Sequence, residues 1–157
     1  MSGCCLINPG ELVLPDDLEF IAVISELDTP EKICQYMYCN FEIEEHPYYN
    51  VCPYDLYLTK KGDCNDYSTF AVFVAHYHGY ETYQIRISFQ GEKYQHCIAV
   101  YKEDKYSFSD NGYYYNGKYN YNSFLEIVKY ESYLREEKWL KYKVYDYDMN
   151  VVESNVQ

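Results

Sequence analysis

Gly62-Asp63-Cys64-Asn65-Asp66-Tyr67-Ser68-Thr69-Phe70-Ala71-Val72-Phe73-Val74-Ala75 is the stretch on which the fold turns. A polar loop passes at Cys64 into the most apolar run of the chain, Phe70 to Ala75. Apolar side chains on most sides of a helical run mark a central, buried helix rather than a surface one. The run ends at His78-Gly79, where glycine supplies the left-handed cap. Cys64 therefore stands at the N-terminus of a buried helix, where backbone N–H groups and the helix dipole favour a thiolate.

Past Gly79 the apolar period changes from helical to two. Tyr83, Ile85, Ile87 and Phe89 fall on one face, and Gln84, Arg86 and Ser88 on the other. Gln90-Gly91-Glu92 turns the chain, and Tyr94–Tyr101 and Tyr106–Asp110 follow as strands joined around Glu103. A turn centred on Glu103 sets His96 directly opposite Asp110. Ile98, Val100, Tyr106 and Phe108 share their face; Gln95, Cys97, Ala99, Lys105, Ser107 and Ser109 take the other. Opposed residues lie about 4.5–5.5 Å apart at Cβ, close enough for an aspartate to hold an imidazole. His96 and Asp110 then end the core-facing stripe, and the helix begun at Cys64 is expected in the core they face. A one-residue slip would bring Asn111 to the ring instead, an amide that also orients imidazoles. Nucleophile, base and orienter thus follow in the order Cys, His, Asp.

Upstream, Leu18–Leu27 reads as a helix with Leu18, Ile21, Val23, Ile24 and Leu27 roughly on one side. Asp28-Thr29-Pro30-Glu31 opens a second helix, which runs to about Asn40. His46–Pro53 is a loop with clustered aromatics. Downstream, Ser123-x-x-Glu126 is a capping box for a short helix, and Trp139–Tyr147 a last strand.

At 157 residues the chain suits a single domain spanning 1–157. No apolar run approaches the ~20 residues of a membrane span. Met1–Pro15 carries no basic n-region, so a cytoplasmic protein without a signal peptide is expected. The net charge of −12 is uneven: up to Thr59 one basic residue faces eleven acids, and from Lys60 twelve face fourteen. That balance disfavours nucleic acid and anionic membranes and leaves a basic protein as a candidate partner. Seven scattered cysteines, Cys4, Cys5, Cys34, Cys39, Cys52, Cys64 and Cys97, do not read as a disulfide scaffold. Cys34, Cys39, His46 and Cys52 cluster without a Cys-x2-Cys knuckle, so no structural zinc is expected. His76 and His78 fall on different sides of their helix, and Glu44-Glu45-His46 reads as a solvated loop; neither marks a metal site.

The Gly-Asp-Cys64-x-x-Tyr-Ser lead into an apolar helix resembles the transglutaminase-like cysteine enzymes. So do the Gln95-His96-Cys97-Ile98-Ala99-Val100-Tyr101 strand and Asp110 at the end of the next. The resemblance covers roughly Pro30 to Gly112. Cys97 stands where the family commonly has Trp, and Asp110-Asn111 where it has Asp-Pro; neither removes a catalytic group. The fold implied is an α+β, papain-like core, a buried helix starting at the catalytic Cys and packed on an antiparallel sheet. The chemistry implied is acyl transfer by Cys64, His96 and Asp110 through a thioester, without metal or cofactor. The substrate would be a peptide or protein amide, with hydrolysis favoured over protein crosslinking because no amine-acceptor pocket is marked. The Cys64 N–H would be one oxyanion donor, and Tyr57, Tyr54 and Asn50 are candidates for the second.

Tyrosine is the compositional oddity, 23 residues, dense at Tyr113-Tyr114-Tyr115, Tyr119 and Tyr121. Tyrosine suits half-buried strands and wet surfaces. Following Asp110 so closely, Tyr113 is also a candidate wall of a substrate cleft. The rival to an enzyme is a catalytically silent interaction module with an acidic, Tyr-rich binding surface.

Overall fold

The computed structural model describes residues 13–46, 51–116 and 120–157. Among these are helices α1 (Leu18–Glu26), α2 (Pro30–Asn40), α3 (Pro53–Thr59), α4 (Cys64–Tyr77) and α5 (Phe124–Arg135). The strands are β1 (Glu42–Ile43), β2 (Lys61–Gly62), β3 (Glu81–Phe89), β4 (His96–Lys102), β5 (Tyr106–Asp110), β6 (Tyr113–Tyr115), β7 (Trp139–Asp146) and β8 (Val151–Val156). The fold is a mixed α+β arrangement. No helix among the described residues is long and apolar enough to cross a membrane.

Capping chemistry sets the helix starts. Asp17 accepts from the N–H groups of Glu19 and Phe20, Thr29 from Lys32 and Ser123 from Glu126, while Pro30 occupies the first turn of α2. Helix α3 goes beyond the loop expected around Pro53: proline again opens it, Leu56 buries against the core, and Lys60 ends it in the left-handed region at φ 61°.

The large sheet has the order β6-β5-β4-β3-β7-β8, antiparallel at every pairing. A two-residue parallel pair, Glu42↔Lys61 and Ile43↔Gly62, ties the exit of α2 to the approach to Cys64. Both faces of the sheet are covered. On one, Phe70, Phe73 and Val74 of α4 pack with Phe20, Ile24, Ile33, Met37 and Leu56 from the preceding helices, and with Ala99 and Tyr101 of β4. On the other, Phe124, Ile127 and Val128 of α5 lie on Ile85, Ile87, Ile98, Val100, Phe108 and Val144.

This corrects the expected position of the buried helix. The apolar stripe that carries Ile98 and Val100 packs on α5, and α4 sits on the opposite face. There the small side chains of Cys97 and Ala99 let a helix approach closely. Ser68 Oγ meets Cys97 Sγ at 3.0 Å, and Gln84 Nε2 donates to Thr69 Oγ1 at 3.0 Å across the same interface. Period-two alternation tells which residues share a face and not which layer covers it.

The β4–β5 register also differs from expectation. Lys102 pairs with Tyr106 and Ala99 with Ser109, so the turn is centred on Asp104 rather than Glu103. Glu103 N–H donates to Lys105 O across that three-residue turn. His96 and Asp110 are therefore diagonal rather than directly opposed. Moving the turn by one residue shifts each partner by two, which preserves the shared face. Asn111-Gly112 then closes a second hairpin to β6, with Asp110 opposite Tyr113. A Cβ on Gly112 would fall 2.8 Å from the backbone N of Tyr38, so glycine is what lets α2 lie against this turn.

Candidate active site

Cys64 is the first residue of α4, and the residues on either side of it are held by a set of hydrogen bonds. Asp63 accepts from the N–H groups of Asn65 and Asp66 through Oδ1, and Asp66 Oδ2 accepts from Asp63 N–H at 2.9 Å, closing a capping box. The other Asp66 oxygen accepts from Val51 N–H at 2.9 Å, and His46 Nε2 stands 2.6 Å from Oδ2. Asp66 is almost wholly buried, and burial holds its carboxyl above the usual range against the pull of those donors. A Cβ on Gly62 would meet Asp66 Oδ2 at 2.8 Å and Leu56 Cδ1 at 2.9 Å, so the carboxylate fits under α4 only because residue 62 has no side chain. Cys64 itself is half-buried, within reach of solvent.

His96 opens β4 and is buried at the end of the sheet. Its Nε2–H donates to Asp110 Oδ1 at 2.9 Å, and the ring interacts with the Cys64 thiol. Burial works to strip the ring of its proton, yet the hydrogen bonds to Asp110 and Cys64 outweigh it and push His96 up to about 10. The three sequence-predicted catalytic residues thus come together, Cys64 from above one face of the sheet and the other two from its end.

A fourth group lies here that the sequence reading did not include. Glu131 of α5 is fully buried, and its Oε1 is 3.6 Å from His96 Nε2. Burial first, then the nearby Asp110 charge, push this carboxyl up to about 7. A signal for it exists in the sequence: Phe124, Ile127, Val128 and Glu131 are the buried face of α5 at helical spacing, and the glutamate breaks an otherwise apolar stripe. His46, by contrast, reaches Asp66 from a segment read as solvated, and no local pattern announces that contact.

The remaining candidates lie elsewhere. Tyr54 and Tyr57 are on α3 with their rings against Phe20, at centroid distances of 5.2 and 5.0 Å. The Tyr54 hydroxyl donates to Asp17 at 2.6 Å, and the Lys60 ammonium sits 3.8 Å above the Tyr57 ring. Tyr113 is exposed on β6 with its ring edge to Tyr38. Asn50, Cys4, Cys5 and Tyr119 lie outside the described residues. His76 stacks on Tyr147, and His78 Nε2–H donates to the Ile24 carbonyl.

Among the described residues two groups bring three ligand-type atoms within 4.8 Å of one another, His46/Asp63/Asp66 and His96/Asp110/Glu131. In both, the histidine nitrogen nearest the carboxylates is engaged in a hydrogen bond to an aspartate. The five cysteines described are free thiols: Cys34 and Cys97 buried, Cys39 exposed, Cys52 and Cys64 between. No protein-family model matches the chain, and no curated protein matches it either.

Proposed function

We propose that this chain is a cysteine-dependent acyl-transfer enzyme of the transglutaminase-like, papain-like kind, which cleaves a peptide or carboxamide bond through a thioester on Cys64. The observation that carries this reading is the His96 ring, hydrogen-bonded through Nε2 to Asp110 and also within hydrogen-bonding reach of the Cys64 thiol. That is the arrangement in which an imidazole can take a thiol proton and pass it on. The α4 N-terminus adds its dipole, and the N–H of Cys64 is the candidate oxyanion donor.

In acylation the Cys64 sulfur attacks the carbonyl carbon, the C–N bond breaks, and the His96 imidazolium gives its proton to the leaving amine. In deacylation neutral His96 takes a proton from water as the oxygen adds to the thioester carbon. The C–S bond then breaks, releasing the carboxylic acid and restoring the thiolate–imidazolium pair. Asp110 holds the ring in one tautomer throughout and supports its positive charge. Water, the default acceptor, is favoured over an amine.

The test is competitive alkylation by iodoacetamide near neutral pH, read thiol by thiol by mass spectrometry. Exposed Cys39 is the internal reference for an ordinary accessible thiol. Cys64 should react well ahead of Cys39, and His96→Ala should remove that lead. Equal rates at the two positions would sink the enzyme reading.

A further inference from the structure

We propose that Glu131 is a positioning residue that shares a single proton with Asp110 beneath His96, and that this shared proton keeps His96 able to release its own proton to a leaving amine. The inference rests on the Cys64–His96–Asp110 reading and adds a group to it. The geometry comes first. α5 packs its Phe124–Ile127–Val128 face onto the sheet, and the next position on that face is a carboxyl group with no exposed surface. Among the described residues neither of its oxygens finds a hydrogen-bond donor, and the nearest cation is the His96 ring, 3.6 Å from Oε1. Asp110 already occupies His96 Nε2 at 2.9 Å, and the three groups lie within 4.8 Å of one another. Two carboxylates and one imidazolium, with Glu131 fully buried and Asp110 at the partly exposed strand end, leave a negative charge uncompensated. A proton on Glu131 removes that charge and turns the carboxyl into a donor toward Asp110.

Among the described residues, His96 of β4, Asp110 of β5 and Tyr115 of β6 face Glu131, and Arg135 acts on it from its own helix. Burial and the Asp110 charge act in one direction and raise Glu131 to about 7; His96 and Arg135 act against them. The consequence for catalysis follows from counting charges. With Glu131 protonated, one carboxylate faces the imidazolium, which can give its proton to the departing nitrogen as the C–N bond breaks. With Glu131 ionised, two carboxylates hold that proton and its transfer slows. The proton on the carboxyl pair is neither consumed nor released over a turnover.

Carboxyl-detected NMR of the labelled full chain reads this directly. Wild-type Glu131, identified by the resonance missing from Glu131→Gln, should titrate near 7, and Asp110→Asn should lower that midpoint by about one pH unit. The His96 ring should show an inflection at the same pH in wild type. In E131Q that inflection should vanish and the His96 midpoint should fall by about one unit or more, because glutamine donates to Asp110 and never ionises. A Glu131 midpoint near the ordinary 4.5, or one that D110N leaves unmoved, overturns the proposal. Slow alkylation of wild-type Cys64 would instead overturn the enzyme reading, and the carboxyl titration would still decide whether the proton is shared.

Discussion

Two histidine–aspartate pairs meet at the N-terminal end of α4, and at first glance they are the same device. His46 Nε2 lies 2.6 Å from Asp66 and His96 Nε2 lies 2.9 Å from Asp110, with both imidazoles 9% exposed. Their surroundings separate them. Asp66 accepts from the backbone N–H groups of Val51 and Asp63, so its charge is committed to holding the first turn of α4. Asp110 sits at a strand end beside a second carboxyl, and the ring it holds touches a thiol. Contact with a thiol makes the His96–Asp110 pair a candidate base, and the backbone donors on Asp66 make the other pair a clamp on α4.

The sharpest way to break this comparison is to remove each imidazole in turn. His96→Ala should slow iodoacetamide capture of Cys64 by about 10³-fold, the middle of the range for a positioned acid–base group. His46→Ala should leave it within about threefold. If the two variants cost Cys64 the same reactivity, the pairs are not different in kind. Removing the carboxylates should reverse the ranking in stability. Asp66→Ala leaves the Val51 and Asp63 N–H groups without their acceptor and opens the capping box, for a loss of about 3 kcal/mol in urea unfolding. Asp110→Ala, at a partly exposed strand end, should cost about 1 kcal/mol.

How far each pair could be read from the chain follows from the same contrast. Cys64, His96 and Asp110 were legible because a polar-to-apolar junction and period-two alternation are local patterns. The face shared by His96 and Asp110 survived a wrong turn centre because the error moved partners by two. Which helix covered that face was not legible, since Ile98 and Val100 on one side and Ala99 and Tyr101 on the other are all buried. The β6 hairpin had a signal in Asn111-Gly112, and Glu131 in the interrupted stripe of α5. The His46–Asp66 contact had none, because it depends on how residues 20 apart are brought together.

The carboxyl at the His96 end should also write itself into the pH dependence of stability. Glu131 has a folded value of about 7 against an ordinary 4.5. A raised value means stability that is fully present below about 4.5 and lost as pH rises through about 7. The size is roughly 2–3 kcal/mol across that window. Asp66 is raised as well, so wild type loses more than the Glu131 share. The comparison to make is wild type against E131Q by urea unfolding at pH 4.5 and 7.5. The stability difference between the two chains should shrink by that amount at the higher pH, and a constant difference would mean that Glu131 titrates as an ordinary surface acid.

The smallest effect expected is on the clamp side, and it asks whether Asp66 is held by space as well as by hydrogen bonds. Gly62→Ala places a methyl group 2.8 Å from Asp66 Oδ2 and 2.9 Å from Leu56 Cδ1. Leu56 is wholly buried and Asp66 is fixed by its donors, so neither can move aside cheaply. Overpacking of this kind costs typically 1–3 kcal/mol, and about 1.5 kcal/mol is expected here. The loss should be absorbed into Asp66→Ala: once the carboxylate is gone, the added methyl has room toward α4, and the double variant should be less destabilised than the two single losses summed. Cys64 alkylation in G62A should stay within about threefold of wild type, because the strain falls on the clamp and not on the ring of His96. A G62A chain of wild-type stability with slowed alkylation would mean that the space beneath α4 serves the nucleophile directly.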